Sequence, residues 1–183
     1  MELYLIRHPR PDVAPGTCYG QTDLGLAESP LAVAERLRPL LPADYALYTS
    51  PLRRARLLAE ALGSPRVDPR LQEIHFGEWE GRSFEDIGKT ALDAWSAAPL
   101  DFAPPGGESP RQMAARALEF LAGLRQANPA AAVVVAHGGP LRALAGQLLG
   151  LPPEHWLGLD FACGEATRLD LHAWGTVLRW FNR

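Results

Sequence analysis

The chain has 183 residues, 47% of them apolar, and a formal net charge of −3. That length supports one hydrophobic core and is short for two, so a single domain spanning residues 1–183 is expected. The acidic balance and the lack of a basic run exclude nucleic acid as a partner, and no apolar run reaches the length of a membrane span.

The first predicted element is the apolar run Glu2-Leu3-Tyr4-Leu5-Ile6, which has the length of a buried strand and stops at Arg7-His8-Pro9. A loop rich in Pro and Gly follows over residues 10–26. Ser29-Pro30 then pairs a cap residue with proline at the first helical position, starting a helix with Leu31, Ala34 and Leu37 inward. Ala46-Leu47-Tyr48-Thr49 reads as a second strand. Ser50-Pro51 restarts a helix with Leu52, Ala55, Ala59 and Leu62 on one face and Gly63 as its stop.

Residues 71–81 have no period, and Ser83 with Asp86 three positions on resembles a capping box. Residues 99–107 are the longest breaker-rich stretch and read as a mobile loop near the site. Ser109-Pro110-Arg111-Gln112 is a second capping box, opening a helix with Met113, Ala117, Phe120, Leu121 and Leu124 inward. Residues 131–136 form the strongest buried strand and end in His137-Gly138-Gly139-Pro140, ahead of a helix with Leu141, Leu144 and Leu148 on its core face. Residues 165–171 and 176–181 predict a C-terminal antiparallel hairpin around Trp174-Gly175. Strands alternating with helices imply an α/β fold, a three-layer α/β/α sandwich with a largely parallel central sheet.

Two of these strands end in histidine, His8 and His137, and sheets of this class bind ligands at that edge. The helix after the second strand carries Arg53, Arg54 and Arg56 in its first two turns, where the helix dipole disfavours cations. An anion at the same place resolves the conflict. Arg53 and Arg56 by themselves read as a solvated face. Arg7 and the two histidines point to Arg54 as functional. Gly138 and Gly139 place backbone N–H groups at a helix start, where a phosphate can approach closely.

Four motifs carry a resemblance: Leu5-Ile6-Arg7-His8, Ser50-Pro51-Leu52-Arg53-Arg54-Ala55, Leu71-Gln72-Glu73 with Phe76-Gly77, and Ala136-His137-Gly138-Gly139. In this order they are similar to those of the histidine phosphatase, or phosphoglycerate mutase-like, superfamily. The resemblance implies His8 as the nucleophile that becomes phosphohistidine, Arg7 and Arg54 as the clamp on the phosphoryl oxygens, His137 as the second histidine, and Glu73 as the proton donor to the leaving alcohol. It also implies a metal-independent phosphatase without a cofactor. Cys18-Tyr19-Gly20-Gln21-Thr22-Asp23 with Phe76-Gly77-Glu78-Trp79-Glu80-Gly81 resembles the α-ribazole phosphatase branch of cobalamin synthesis. That match makes Tyr19, Gly20, Gln21 and Thr22 expected substrate contacts and α-ribazole 5′-phosphate the expected small-molecule partner.

The chemistry of the residues agrees. Histidine attacks phosphorus through an unprotonated nitrogen, which neighbouring positive charge favours. Arginine offers planar paired donors to phosphate oxygens, and two arginines with a protonated His137 can take a metal's part in phosphoryl transfer. Glu73 must hold a proton when the alcohol leaves, and its carboxylate can then activate water.

The sequence departs from the family pattern in three ways. Pro9 replaces a glycine and lacks a backbone N–H, Leu57-Leu58 replaces a Gln-Thr pair, and a first-loop asparagine has no counterpart. Two further readings stay open: a mutase passing phosphate within a small sugar acid, which the short chain disfavours, and a broad-specificity or catalytically weak member that binds a phospho-ligand, supported by Pro9. His75, His155 and His172 read as structural or surface residues, and Glu78 and Glu80 as a solvated loop. With no basic–apolar–small leader, a cytoplasmic location is expected, and Cys18 and Cys163 are expected as free thiols. The oligomeric state is not readable, a homodimer being one state an edge hairpin would support.

Overall fold

A computed structural model describes residues 1–183. Strand β1 (Glu2–Arg7) leads to helix α1 (Pro30–Leu37), strand β2 (Ala46–Thr49), helix α2 (Arg53–Leu62) and the two-residue strand β3 (Arg66–Val67). Helices α3 (Phe84–Ile87), α4 (Lys89–Ala97) and α5 (Pro110–Ala127) precede strand β4 (Ala131–Ala136). Helix α6 (Gly138–Leu148) follows, and strands β5 (Ala166–His172) and β6 (Gly175–Trp180) close the chain.

The six strands form one sheet in the order β3-β2-β4-β1-β5-β6. The first four are mutually parallel, β5 runs antiparallel to β1, and β6 runs antiparallel to β5. The side-chain period of two splits each central strand between two cores. Leu3 and Leu5 of β1 and Ala132, Val134 and Ala136 of β4 pack with Phe120, Leu121, Leu141 and Leu144 of α5 and α6. Tyr4 and Ile6, with Val133 and Val135, pack with Val33, Leu37, Ala55 and Leu58 of α1 and α2 on the other face. Two such faces make the three layers.

Local signals place the helices. The Ser29 side chain accepts from Ala32 N at the start of α1, and Ser109 and Gln112 close a complete capping box on α5. The hairpin of β5 and β6 lies at the sheet edge as the tail pattern predicts. Both cysteines are free, and no helix is long and apolar enough to cross a membrane.

Three local expectations are corrected, and two short elements went unread. Leu31 is 65% exposed, because it lies ahead of the Val33, Ala34 and Leu37 stripe that meets the sheet. Helix α2 begins at Arg53, since Ser50 belongs to the strand end and its Oγ accepts from Leu52 N. The helix expected after Ser83 is broken at Gly88, whose φ of +88° ends α3 before α4 begins. Strand β3 and a 3₁₀ turn over Pro153–Gly158 are too short or too aperiodic to read from sequence.

Residues 99–107 are pinned at both ends of the stretch. Arg111 N donates to Leu100 O, Glu78 N to Pro105 O, and Glu108 N to His75 O, each at 2.9 Å. A methyl group on Gly77 would come within 2.1 Å of Pro105 O, so glycine is what lets the two loops touch.

Candidate active site

The site forms where β2, β4 and β1 emerge side by side. Arg7 pairs with Ala136 in the parallel register, so His8 and His137 are the next residues on adjacent strands. Their ring centroids lie 5.0 Å apart, about one strand spacing. His8 N donates to Ala136 O, and Ser50 N donates to Val135 O, holding the three strand ends level. His8, His137 and Arg54 are all fully or almost fully buried.

Each side chain is held by named partners. His8 Nδ1 lies 2.6 Å from Pro9 O, so it carries the proton and leaves Nε2 with a free lone pair. Pro9 lacks an N–H, yet its carbonyl orients the histidine. His137 Nε2 lies 2.7 Å from Ser50 Oγ. Arg7 Nη1 donates to Phe161 O at 2.6 Å, and Arg54 donates to Thr22 O at 2.9 Å and to Gly20 O. Three buried side-chain nitrogens have no partner: Arg7 Nε, Arg54 Nε and His137 Nδ1.

Electrostatics keeps both rings neutral. Burial, assisted by Arg54 and Arg7 and opposed by the Pro9 carbonyl, lowers the His8 pKa to about 3. Burial first, then His8 and the arginines, holds His137 well below its ordinary value. The expected protonated His137 is therefore not the state of the free protein. Because unfolded His8 titrates near 6.5, its stabilising contribution is complete above that pH and is lost as pH falls toward 3, by up to about 1.4 kcal/mol per unit. Urea unfolding is expected to show a lower midpoint at pH 5 than at pH 7, and His8→Gln a shallower fall. A slope that the substitution leaves unchanged would contradict the burial of a neutral His8.

Glu73 is fastened from both sides. Gly139 N donates to both of its carboxylate oxygens, at 3.1 and 3.2 Å, and Ile74 N donates to Oε1 at 3.0 Å. The Gly139 amide, expected near phosphate, is thus taken by Glu73, leaving Gly138 as the glycine beside Arg7 and Arg142. Behind it, Arg116 of α5 donates to Arg70 O, Gln72 O and Glu73 O and forms an ion pair with Glu108 at 2.5 Å. A methyl on Gly139 would come within 2.3 Å of Glu73 Oε1. Gly139→Ala is expected to lower kcat by about 10²-fold while vanadate binding persists, the scale of a misplaced catalytic group if Glu73 is the proton donor that the motifs imply. Unchanged kcat would show that the position of Glu73 does not matter.

The expected contacts at residues 19–22 divide. Tyr19 turns its ring to the cluster, with Arg54 Cζ 5.5 Å from its ring centroid. Gly20 and Thr22 supply carbonyls that hold Arg54, and Gln21 Nε2 donates to Glu73 O. Glu80, read as solvated, is half-buried and accepts from Gln21 N, Thr22 N, Phe76 N and the Thr22 hydroxyl. These residues build the frame of the site because their backbone groups need partners where the loops cross.

Arg142 joins the cluster without having been read from sequence. A methyl on Gly138 would lie 3.2 Å from its Nη1, and its Nε donates to Leu159 O at 2.9 Å. Helical side chains lean toward the N-terminus, so an arginine four residues after Gly138 reaches back over the helix start. That i,i+4 spacing from His-Gly-Gly was the available signal.

The chain belongs to the histidine phosphatase superfamily, whose branch 1 profile matches residues 3–183. It is 36% identical over 181 residues to glucosyl-3-phosphoglycerate phosphatase of Mycobacterium tuberculosis, covering 86% of this chain and 79% of that protein. It is 33% identical over 173 residues to a 2,3-bisphosphoglycerate-dependent phosphoglycerate mutase of Methylobacterium sp., covering 85% and 81%. The crystal structure of α-ribazole phosphatase from Shigella flexneri matches with a TM-score of 0.89 at 27% identity, over 100% of this chain and 96% of that one. The fold is the phosphoglycerate mutase-like one expected from the motifs, and the protein is a phosphatase, a phosphoric monoester hydrolase.

Proposed function

We propose that the protein hydrolyses a small phosphate monoester without a metal, through phosphohistidine on His8. The observation that carries this reading is the unpartnered set of nitrogens, Arg7 Nε, Arg54 Nε and His137 Nδ1, which all belong to the cluster around a neutral His8. Buried donors are normally satisfied, and a phosphoryl group would satisfy these.

His8 Nε2 bonds to phosphorus as the ester P–O bond breaks, and the Glu73 carboxyl protonates the departing oxygen. Water then attacks phosphorus and gives a proton to the Glu73 carboxylate while the P–N bond breaks. His8 returns neutral and Glu73 returns protonated, so ester and water become alcohol and phosphate. Arg7 and Arg54 stabilise the equatorial oxygens. With the Ser50 hydroxyl donating to Nε2, the His137 proton sits on Nδ1 and serves a phosphoryl oxygen. A bound dianion offsets the arginine field and makes a second proton on His137 favourable.

The substrate we propose is α-ribazole 5′-phosphate, supported by the segments at residues 18–23 and 76–81 and by likeness to the Shigella enzyme. Identity of 36% to the mycobacterial enzyme favours glucosyl-3-phosphoglycerate as a second reading. A phosphate-release screen across ribazole, sugar and nucleotide monophosphates and glucosyl-3-phosphoglycerate tests both. The highest kcat/KM is expected with the ribazole ester, and a preference for the glucosyl ester would replace it. Isomerised phosphoglycerate with a bisphosphoglycerate primer, and no inorganic phosphate, would favour a mutase instead.

A further inference from the structure

Glu73, Gly139 and Arg142 also line a cavity of about 500 Å³ that does not include the histidines. Its apolar walls include Phe76, Trp95, Met113, Leu118, Leu151 and Trp156, and Arg111, Gln147 and Glu154 are the other charged or amide side chains that line it. That volume falls in the ordinary range of about 300–1,000 Å³ for small-molecule sites. The cavity begins at the carboxylate that would protonate the departing oxygen, so the body of the alcohol extends into it.

The walls are built and mostly apolar. Trp156 Nε1 donates to Leu151 O at 2.9 Å, so the indole faces the cavity with its only donor already used. It lies on α6 at Gly146, where a methyl group would come within 2.2 Å of the ring. Trp95 packs edge-on to Phe76, with centroids 6.4 Å apart. Arg111, at the polar rim, is paired with Asp101 at 2.6 Å. A body covered in hydroxyls would lose its water here and find few partners, whereas an aromatic or alicyclic body loses nothing by leaving water.

We propose that this cavity is the leaving-group site and that it selects monoesters whose alcohol carries an apolar, ring-sized body, with Trp156 as a specificity-determining contact. The proposal rests on the phosphomonoesterase reading above. The test compares 2-phenylethyl phosphate with glycerol 1-phosphate, two primary alkyl esters, by phosphate release from the intact chain. A preference in kcat/KM of at least about tenfold for the phenylethyl ester is expected, the scale on which apolar pockets discriminate. Trp156→Ala should collapse that ratio toward one. Leu157→Asp, at a rim position 67% exposed and therefore safe for folding, should reduce it about threefold or more. Equal kcat/KM for the two esters, or a preference that survives both substitutions, overturns the leaving-group site and leaves the phosphatase reading standing. Release from neither ester by folded protein removes that reading, and this proposal with it.

Discussion

His8→Ala is expected to reduce phosphate release on the order of 10⁴-fold or more, because removing a nucleophile ends the covalent route and leaves only binding and electrostatics. On the rate scale that is about 5.5 kcal/mol of lost transition-state stabilisation. The rest of the cluster should survive the substitution. Arg54 is held by Gly20 O and Thr22 O, Arg7 by Phe161 O and His137 by Ser50, none of which depends on the His8 ring. Vanadate binding by the variant therefore reports an intact anion site, while acid-quenched wild-type protein incubated with labelled ester should yield an acid-labile phosphoenzyme. Turnover above about one part in a hundred of wild type would remove His8 as nucleophile.

Glu73→Gln is expected to separate the two half-reactions. The amide oxygen can keep the hydrogen bonds from Ile74 N and Gly139 N, so the loop should hold its shape. It cannot give up or accept the catalytic proton. For an alkyl ester, whose alkoxide leaves only when protonated, kcat/KM should fall about 10²- to 10⁴-fold. p-Nitrophenyl phosphate needs no proton on its leaving phenolate, so the first step should proceed and the second should stall. A burst of p-nitrophenolate equal to the protein concentration is the expected signature. Equal losses with both esters and no burst would assign Glu73 to structure alone.

The proposed site residues were legible because each sits at a punctuated end of an apolar run. Arg7-His8-Pro9 and His137-Gly138-Gly139 mark where strands stop, and Arg54 stands out as a cation in the first turn of a helix. Glu73 was different: it lies in a stretch without period and entered through the motif resemblance. The capping box at Ser109 and the buried run of β4 were equally plain, since caps and strand burial are local or short-period properties.

What stayed hidden depends on partners far along the chain. Leu31 satisfies helical spacing, yet it lies outside the buried Val33, Ala34 and Leu37 stripe and is left exposed. Glu80 looks solvated until residues 21 and 22 fold over it. Arg116 clasps the irregular segment at Glu73 from 43 residues away, and no periodicity in α5 announces that it does. Protonation is hidden too, because burial sets the charge of His8 and His137 and burial is a property of the packed sheet.

By itself, then, the sequence determined the layered α/β architecture and the candidate site residues at the strand ends, because strand burial, caps and helix starts are written in neighbouring residues. Only the tertiary structure decided which loop groups serve as frame, that both imidazoles are neutral, and that an apolar chamber opens beside Glu73. Those properties arise where segments distant in the chain exclude water together, and no local pattern encodes that exclusion.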